Sequence, residues 1–271
     1  KKNFKKRFAH HLANKNLTML LQDVCTPISL DVHHHFIFHA ASQASPKYYG
    51  KDPVGTLKAN VIGAMNLLEL SRSHPIESFL YFSSGEVYGE ANIFPTNESD
   101  YGLVDPVTVR SCYAESKRMG ENMCVAWTKQ FNVPAKIVRP FHTYGPGISL
   151  DDGRVHADFV KNIVENKDIV MRSDGNAQRS FCYIADATGG FFKVLLEGEN
   201  SLPYNVGNNK EVISIRDLAK TLSNIFPERN VNVIMIAQGS SELNLAFVVK
   251  DNDCKSVIQA LHEEFELANI N

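Results

Sequence analysis

Phe79-Leu80-Tyr81-Phe82-Ser83-Ser84-Gly85-Glu86-Val87-Tyr88-Gly89 is the stretch from which the fold can be read. Four apolar residues make a short strand, and two hydroxyls and a carboxylate follow at its carboxyl end. The same alternation extends in both directions. Upstream, residues 17–22 (LTMLLQ) and 36–39 (FIFH) read as strands. Between Asp52 and Arg72, apolar residues fall at Val54, Leu57, Val61, Met65, Leu68 and Leu70, a spacing mostly of three and four that predicts an amphipathic helix. Downstream, Tyr113 to Gln130 reads as a second long helix, closed by Phe131-Asn132-Val133-Pro134, and residues 135–138 (AKIV) as the next strand. Strands alternating with long helices predict an α/β fold with a parallel sheet and crossover helices. Such sheets bind ligands at the carboxyl ends of their strands, so chemistry is sought just after each strand.

The 271 residues suffice for one large domain or two small ones. With 44% hydrophobic and 21% charged residues the composition is that of a globular protein, which excludes disordered and collagen-like classes. No apolar run reaches about 18 residues, so no membrane span is expected. The net charge of -2 argues against a general nucleic-acid binder. Cys25, Cys112, Cys124, Cys182 and Cys254 lie far apart with no C-x-x-C, so neither a disulfide framework nor a zinc site is expected, and a reducing cytoplasm is the expected home. His33-His34-His35 lacks carboxylate or cysteine spacing around it, so no metal is expected. The basic start, residues 1–7, reads as a solvated helix face rather than a signal peptide, because no apolar stretch follows it. The first residue is not Met, which points to processing or to a start lying upstream.

Five segments carry candidate chemistry. His39-Ala40-Ala41-Ser42 ends the strand at 36–39 with small residues that let a ligand approach the backbone. Ser83, Ser84 and Glu86 follow the strand at 79–82. Tyr113-Ala114-Glu115-Ser116-Lys117 places Tyr113 and Lys117 on one helix face. A lysine charge there should lower the tyrosine pKa from about 10 and fit the phenolate to take a proton from a sugar hydroxyl. Arg154 and Arg179 sit in Gly- and Asp-rich loops, and their guanidinium forks suit a diphosphate.

Taken in order, HAAS at 39–42, the helix from Asn60 to Glu69, SSGEVYG at 83–89, YAESK at 113–117, RPFHTYGP at 139–146, RSFCYIAD at 179–186 and YNVG at 204–207 resemble the extended short-chain dehydrogenase/reductase family of nucleotide-sugar enzymes, over about residues 5–230. Within that family, Ser45-Pro46-Lys47-Tyr48-Tyr49, Arg110-Ser111-Cys112-Tyr113, Leu150-Asp151-Asp152-Gly153-Arg154-Val155 and Arg179-Ser180-Phe181 look like the UDP-glucuronate decarboxylase branch. The resemblance implies a Rossmann-like doubly wound parallel sheet. It implies bound NAD that oxidises the sugar at C4, loss of CO2 from the resulting ketone, and return of the hydride. Tyr113 is then the base, Lys117 tunes it and holds the nicotinamide ribose, and Ser84 hydrogen-bonds the reacting hydroxyl. Glu86 matches the family's catalytic glutamate and Arg179 an arginine near the substrate. Asp23 and Val24 match the pair beside the adenine, and His39, Ala40, Ala41, Asn60 and Ser83 complete the cofactor contacts. Ser45, Pro46, Tyr49, Glu86, His142, Arg154 and Arg179 are the implied UDP-sugar contacts, and a cytoplasmic homodimer is implied as well.

Three departures qualify this. Gly85 stands where decarboxylases usually carry serine and 4,6-dehydratases aspartate, which argues against dehydration. His142 stands where asparagine is usual. No G-x-x-G-x-x-G turn precedes Asp23, so an N-terminally truncated dinucleotide domain is expected over residues 1–147, with a substrate-binding region over 148–230. From residue 231 to 271 the pattern changes. Leu243, Leu245 and Phe247 alternate with Asn244 and Ala246 as in a half-buried strand. Strand, turn, strand over 231–250 is followed by an Asp251-Asn252-Asp253 cap and a helix over 254–266. This stretch resembles half of an aspartokinase ACT module, which would need a partner for its open strand edges. Two other functions stand beside decarboxylation: 4-epimerisation, and a non-catalytic fragment or fusion that associates through the tail.

Overall fold

The computed structural model describes residues 8–30, 33–89, 95–165, 167, 169–171, 173–225, 233–238 and 245–249. Its main sheet contains β1 (Phe36–His39), β2 (Ser78–Phe82), β3 (Ala135–Pro140) and β6 (Pro203–Val206), side by side in that order and all parallel. The crossover from β1 to β2 is α1 (Pro53–Ser73), and that from β2 to β3 includes α2 (Cys112–Phe131). α1 starts where the Asp52 carboxylate accepts the Gly55 N–H at 3.0 Å, with Pro53 in the first turn. α2 stops where Asn132 turns left-handed at φ 57° and its N–H closes onto Trp127 and Thr128 carbonyls.

The sheet is covered on both faces. Ala64 and Leu68 of α1 and Met123 and Cys124 of α2 pack on Phe79, Tyr81, Ala135 and Ile137. On the other face Ala187, Phe191, Val194 and Leu195 of α4 (Ile184–Glu197) pack on Leu80, Val138 and Val206. Helices on both faces of a parallel sheet make the doubly wound arrangement that the family resemblance implies. α2 lies close to β2 because Gly120 faces it: a Cβ there would fall 2.0 Å from the Tyr81 hydroxyl oxygen. That close approach sets the depth at which Tyr113 and Lys117 sit.

Residues 17–22, expected as a strand, have no regular structure, and Leu20 and Leu21 are 56% and 62% exposed. The segment that follows is tied elsewhere. Asp23 accepts the Cys25 N–H, Gln22 donates to the Thr26 and Pro27 carbonyls, and Asn66 of α1 donates to the Val24 carbonyl at 2.9 Å. The chain is therefore pinned on α1 instead of lying along the outer edge of β1, and an apolar run without a ladder partner gains nothing from extending.

A second sheet orders β4 (His142–Tyr144), β5 (Gln178–Tyr183) and β7 (Val212–Ser214). Beside it α3 (Val155–Val164) packs Phe159 on Ile215, Ala219 and Leu222 of α5 (Ile215–Ile225). In the tail, β8 (Val233–Gln238) and β9 (Leu245–Val249) pair antiparallel, the expected strand pair. The cap at 251–253 and the helix expected over 254–266 lie outside the described residues, as does the basic start at 1–7. No described helix is long and apolar enough to cross a membrane.

Candidate active site

The carboxyl end of β2 and the first turns of α2 meet. Ser84 caps the short turn Gly85–Tyr88, accepting the Glu86 N–H at 3.2 Å, and its hydroxyl hydrogen-bonds Tyr113. The Tyr113 ring stacks on Tyr49, with centroids 4.8 Å apart and 16° between planes. One turn along α2, Lys117 is buried, and its Nζ donates to the Phe82 carbonyl at 2.6 Å and stands 5.7 Å from the Tyr113 ring centre.

The charges here differ from the expected pattern. Burial raises the Tyr113 pKa; the Ser84 hydrogen bond and the Arg154 charge oppose it, and the Glu86 carboxylate adds to it. Burial also pushes Lys117 down to about 7, against the pull of Glu121. The expected lowering of Tyr113 by Lys117 does not appear: burial raises the phenol and disfavours the charge on the ammonium. The groups that pull the phenol toward ionisation are Ser84 and Arg154.

Around this centre the remaining predicted substrate contacts gather. Arg154 donates to the Ala44 carbonyl at 3.2 Å and pairs with Asp152 at 3.1 Å. Ser45 donates to the Asp152 carbonyl, which ties the short helix Pro46–Tyr49 to the loop carrying Arg154. Glu86 pairs with Arg110 at 3.0 Å, and its charge also acts on Tyr49 and His142. Arg179 lies on β5, and its charge bears on His142. Gly85 sits under Phe141: a Cβ there would come 3.2 Å from the ring, so the serine usual at this position needs that ring to yield.

The predicted cofactor contacts divide. Asn60, fully buried on α1, donates to the Ser116 hydroxyl at 2.9 Å, which in turn donates to the Tyr113 carbonyl. Ala40 and Ala41 are exposed just beyond β1. Asp23 and Val24 stand farther along α1, Val24 against Gly63 and Asn66, roughly 5–9 Å beyond Asn60 by helix rise. Two side chains depart from expectation. Ser83 turns inward, its hydroxyl donating to Glu121 at 2.5 Å. The His39 ring is 2% exposed and lies beside Phe79 and Tyr81. Only the backbone of these two can face a cofactor.

Burial, with the Lys117 charge adding to it, pushes His39 down to about 3. Its penalty is therefore absent above about pH 6.5 and complete below about pH 3. Replacing His39 with Phe should remove it. Urea unfolding followed from pH 7 to pH 3 should show the variant gaining roughly 4 kcal/mol on the parent at the acid end. Parallel curves would show that the ring takes up protons without cost.

The sequence reading missed a buried network behind the centre. Arg139 grips Glu121 with two bonds, at 2.9 and 2.7 Å, and donates to the Tyr88 hydroxyl at 2.7 Å; Tyr88 donates to Asn205 at 2.8 Å. The available signal was a Glu four residues after Lys117, hence on its helix face. It also missed Arg110 as the partner of Glu86, and His156 at the start of α3.

The residues present suit the nicotinamide-ribose end of a dinucleotide. Ser42 Oγ and Asn60 Oδ1 are buried polar atoms with no partner among the described residues, close in sequence or contact to the exposed Ala40–Ala41 backbone and to Tyr113. With Tyr113 and Lys117 they supply donors and acceptors for a nicotinamide ribose. The described residues include no glycine-rich turn between a strand and a helix that would hold the diphosphate.

The profile of the NAD dependent epimerase/dehydratase family matches residues 2–207, and that of an ACT domain matches residues 209–265, which takes in β7, α5 and the β8–β9 pair. UDP-glucuronic acid decarboxylase 2 of Arabidopsis thaliana is 39% identical over 228 residues, covering 84% of this chain and 50% of that protein. UDP-glucuronic acid decarboxylase 1 of Xenopus tropicalis is 34% identical over 220 residues, covering 80% and 51%. The chain thus spans about half the length of these relatives. Among solved structures, UDP-glucuronic acid 4-epimerase from Bacillus cereus, in complex with UDP-glucuronic acid and NAD, superposes with a TM-score of 0.69 at 25% identity, covering 82% of this chain and 69% of that one. UDP-glucose 4-epimerase from Thermotoga maritima, with UDP-glucose, gives 0.65 at 25% identity, covering 71% and 61%.

Proposed function

Because the chain belongs to the NAD dependent epimerase/dehydratase family, we propose that it modifies a UDP-sugar at C4, and specifically that it decarboxylates UDP-glucuronate. The observation that carries this reading is the junction of Ser84, Tyr113 and Lys117 with the Glu86 carboxylate close enough to act on the phenol. NAD, the cofactor of the family, supplies when bound the removal of a hydride from C4 and its return. The protein's own side chains do the rest. Ser84 holds the C4 hydroxyl, and the Tyr113 oxygen takes its proton. Once C4 is a ketone, the C5 carboxylate is β to a carbonyl, and loss of CO2 leaves its electron pair in an enolate. The Ser84 and Tyr113 hydroxyls face that oxygen and stabilise the charge as hydrogen-bond donors. Glu86, beside them, handles the proton at C5, and Arg179 and Arg154 bring cations to the anionic substrate.

Glu86→Gln separates decarboxylation from 4-epimerisation, which shares Ser84, Tyr113 and Lys117 but has no step at C5. The variant should slow formation of the UDP-pentose by about 100-fold or more, as expected for removing a general acid–base group, while C4 oxidation of UDP-glucuronate persists. Undiminished UDP-pentose formation would refute the role of Glu86. Mass spectrometry of the supernatant from denatured protein tests the cofactor separately, since this reading requires NAD in it or a measurable affinity for added NAD.

A further inference from the structure

Two of the reacting groups sit on the short turn Gly85–Tyr88: Ser84 caps it and Glu86 lies within it. Its internal bonds run from the Glu86 N–H to the Ser84 hydroxyl at 3.2 Å, from the Val87 N–H to the Ser84 carbonyl at 3.2 Å and from the Gly89 N–H to the Glu86 carbonyl at 3.1 Å. A lone turn of this kind has poor hydrogen-bond geometry and does not hold its shape unaided. α2 and β3 hold it from outside. Lys117 donates to the Phe82 carbonyl at 2.6 Å, and Glu121, one turn later on the same helix face, accepts the Ser83 hydroxyl at 2.5 Å. Both residues that precede Ser84 are thus tied to α2. At the other end the Tyr88 hydroxyl accepts from Arg139 of β3 at 2.7 Å. Arg139 and Glu121 are themselves joined by two bonds, at 2.9 and 2.7 Å, and both side chains are nearly buried. A two-bonded guanidinium–carboxylate fork fixes geometry. It contributes little net stability over an apolar pair of similar volume, so stability alone does not account for it.

We propose that Glu121 and Arg139 are positioning residues for the reaction: one buried ion pair grips Ser83 at the front of the turn and Tyr88 at its rear, and so fixes Ser84 and Glu86 relative to Tyr113. Both lie behind the turn and act through it. The inference rests on the C4 reading above and adds what holds its reacting groups in place. Misplacing a reacting group by about 1 Å costs up to about 100-fold in rate, so releasing either end lowers turnover. Ser84 and Glu86 lie between the two ends. Freeing one end therefore already frees both groups, and freeing the second adds little. Losses at two independent sites would multiply instead.

Cutting the ion pair itself strands a buried charge, so the test releases each end by a smaller change. Ser83→Ala removes the hydroxyl that Glu121 holds, while the backbone N–H at that position keeps its bond to the Val138 carbonyl at 2.8 Å. Tyr88→Phe removes the hydroxyl that Arg139 holds, while the ring keeps its stack on Phe141 at 6.1 Å. With NAD and UDP-glucuronate supplied, each single variant should show a kcat for the UDP-pentose about 10- to 100-fold lower with KM unchanged. The double variant should fall within about threefold of the slower single. Hydrogen exchange read by mass spectrometry should show the amides of residues 84–89 exchanging at least about tenfold faster in each single variant, with those of β3 unchanged. Losses that multiply in the double variant, or a loss of stability in urea with kcat unchanged, overturn the shared clamp. An unaltered chain that leaves UDP-glucuronate untouched overturns the proposed function alone. The exchange rates then decide the clamp, and amides as slow in the variants as in the unaltered chain overturn it.

Discussion

Tyr113→Phe should reduce turnover of UDP-glucuronate by about 100- to 10,000-fold, the range for removing a general base, with little change in KM. The split follows from the geometry. The phenylalanine ring keeps the stack on Tyr49 at 4.8 Å, so the wall of the pocket survives. What disappears is the oxygen that Ser84 hydrogen-bonds and that Arg154 and Glu86 pull in opposite directions. A kcat loss below tenfold would remove Tyr113 from the role of base. A rise in KM with kcat unchanged would make it a binding residue instead.

Arg139→Met should be the most damaging single change to stability, at about 3–5 kcal/mol, because it strands the Glu121 carboxylate in the protein interior. The two side chains of this pair are only 10% and 12% exposed. Burial works against the Arg139 charge, but Glu121 and the Tyr88 hydroxyl more than offset it and raise its pKa. Removing the cation also leaves Tyr88 and the Ser83–Glu121 hydrogen bond without their anchor. Urea denaturation measures the loss. Adding Glu121→Leu should recover part of it, since an apolar pair leaves no stranded charge. A loss under about 1 kcal/mol would mean that water reaches Glu121.

The strands and helices around the centre were legible because each carries a local signal. FIFH at 36–39 is β1 from end to end, and the apolar spacing after Asp52 is α1, capped by Asp52 itself. LTMLLQ misled because apolar content alone does not supply a ladder partner, and the turn at 22–27 takes the chain to α1. In the site, Ser84, Tyr113 and Lys117 were legible from strand-end position and i, i+4 spacing. The direction of the Tyr113 shift was not, because burial at the α2–β2 contact decides it and no spacing rule reports depth. The same holds for Ser83 and His39, whose side chains turn inward, and for the Arg139–Glu121–Tyr88 network, assembled from three elements far apart in sequence. His156 was invisible for a similar reason: only the folded chain brings it beside Phe181 and His142.

Under the function proposed here, NAD takes the hydride from C4 of a uronate that these side chains hold, and the carboxyl group leaves as CO2. The most direct test of that function is incubation of the protein with NAD and UDP-glucuronate, followed by mass spectrometry of the nucleotide-sugar. The expected product is a UDP-pentose, lighter than the substrate by the mass of carbon dioxide, with NAD returned unchanged. A product of unaltered mass, the C4 epimer, or untouched UDP-glucuronate would contradict it.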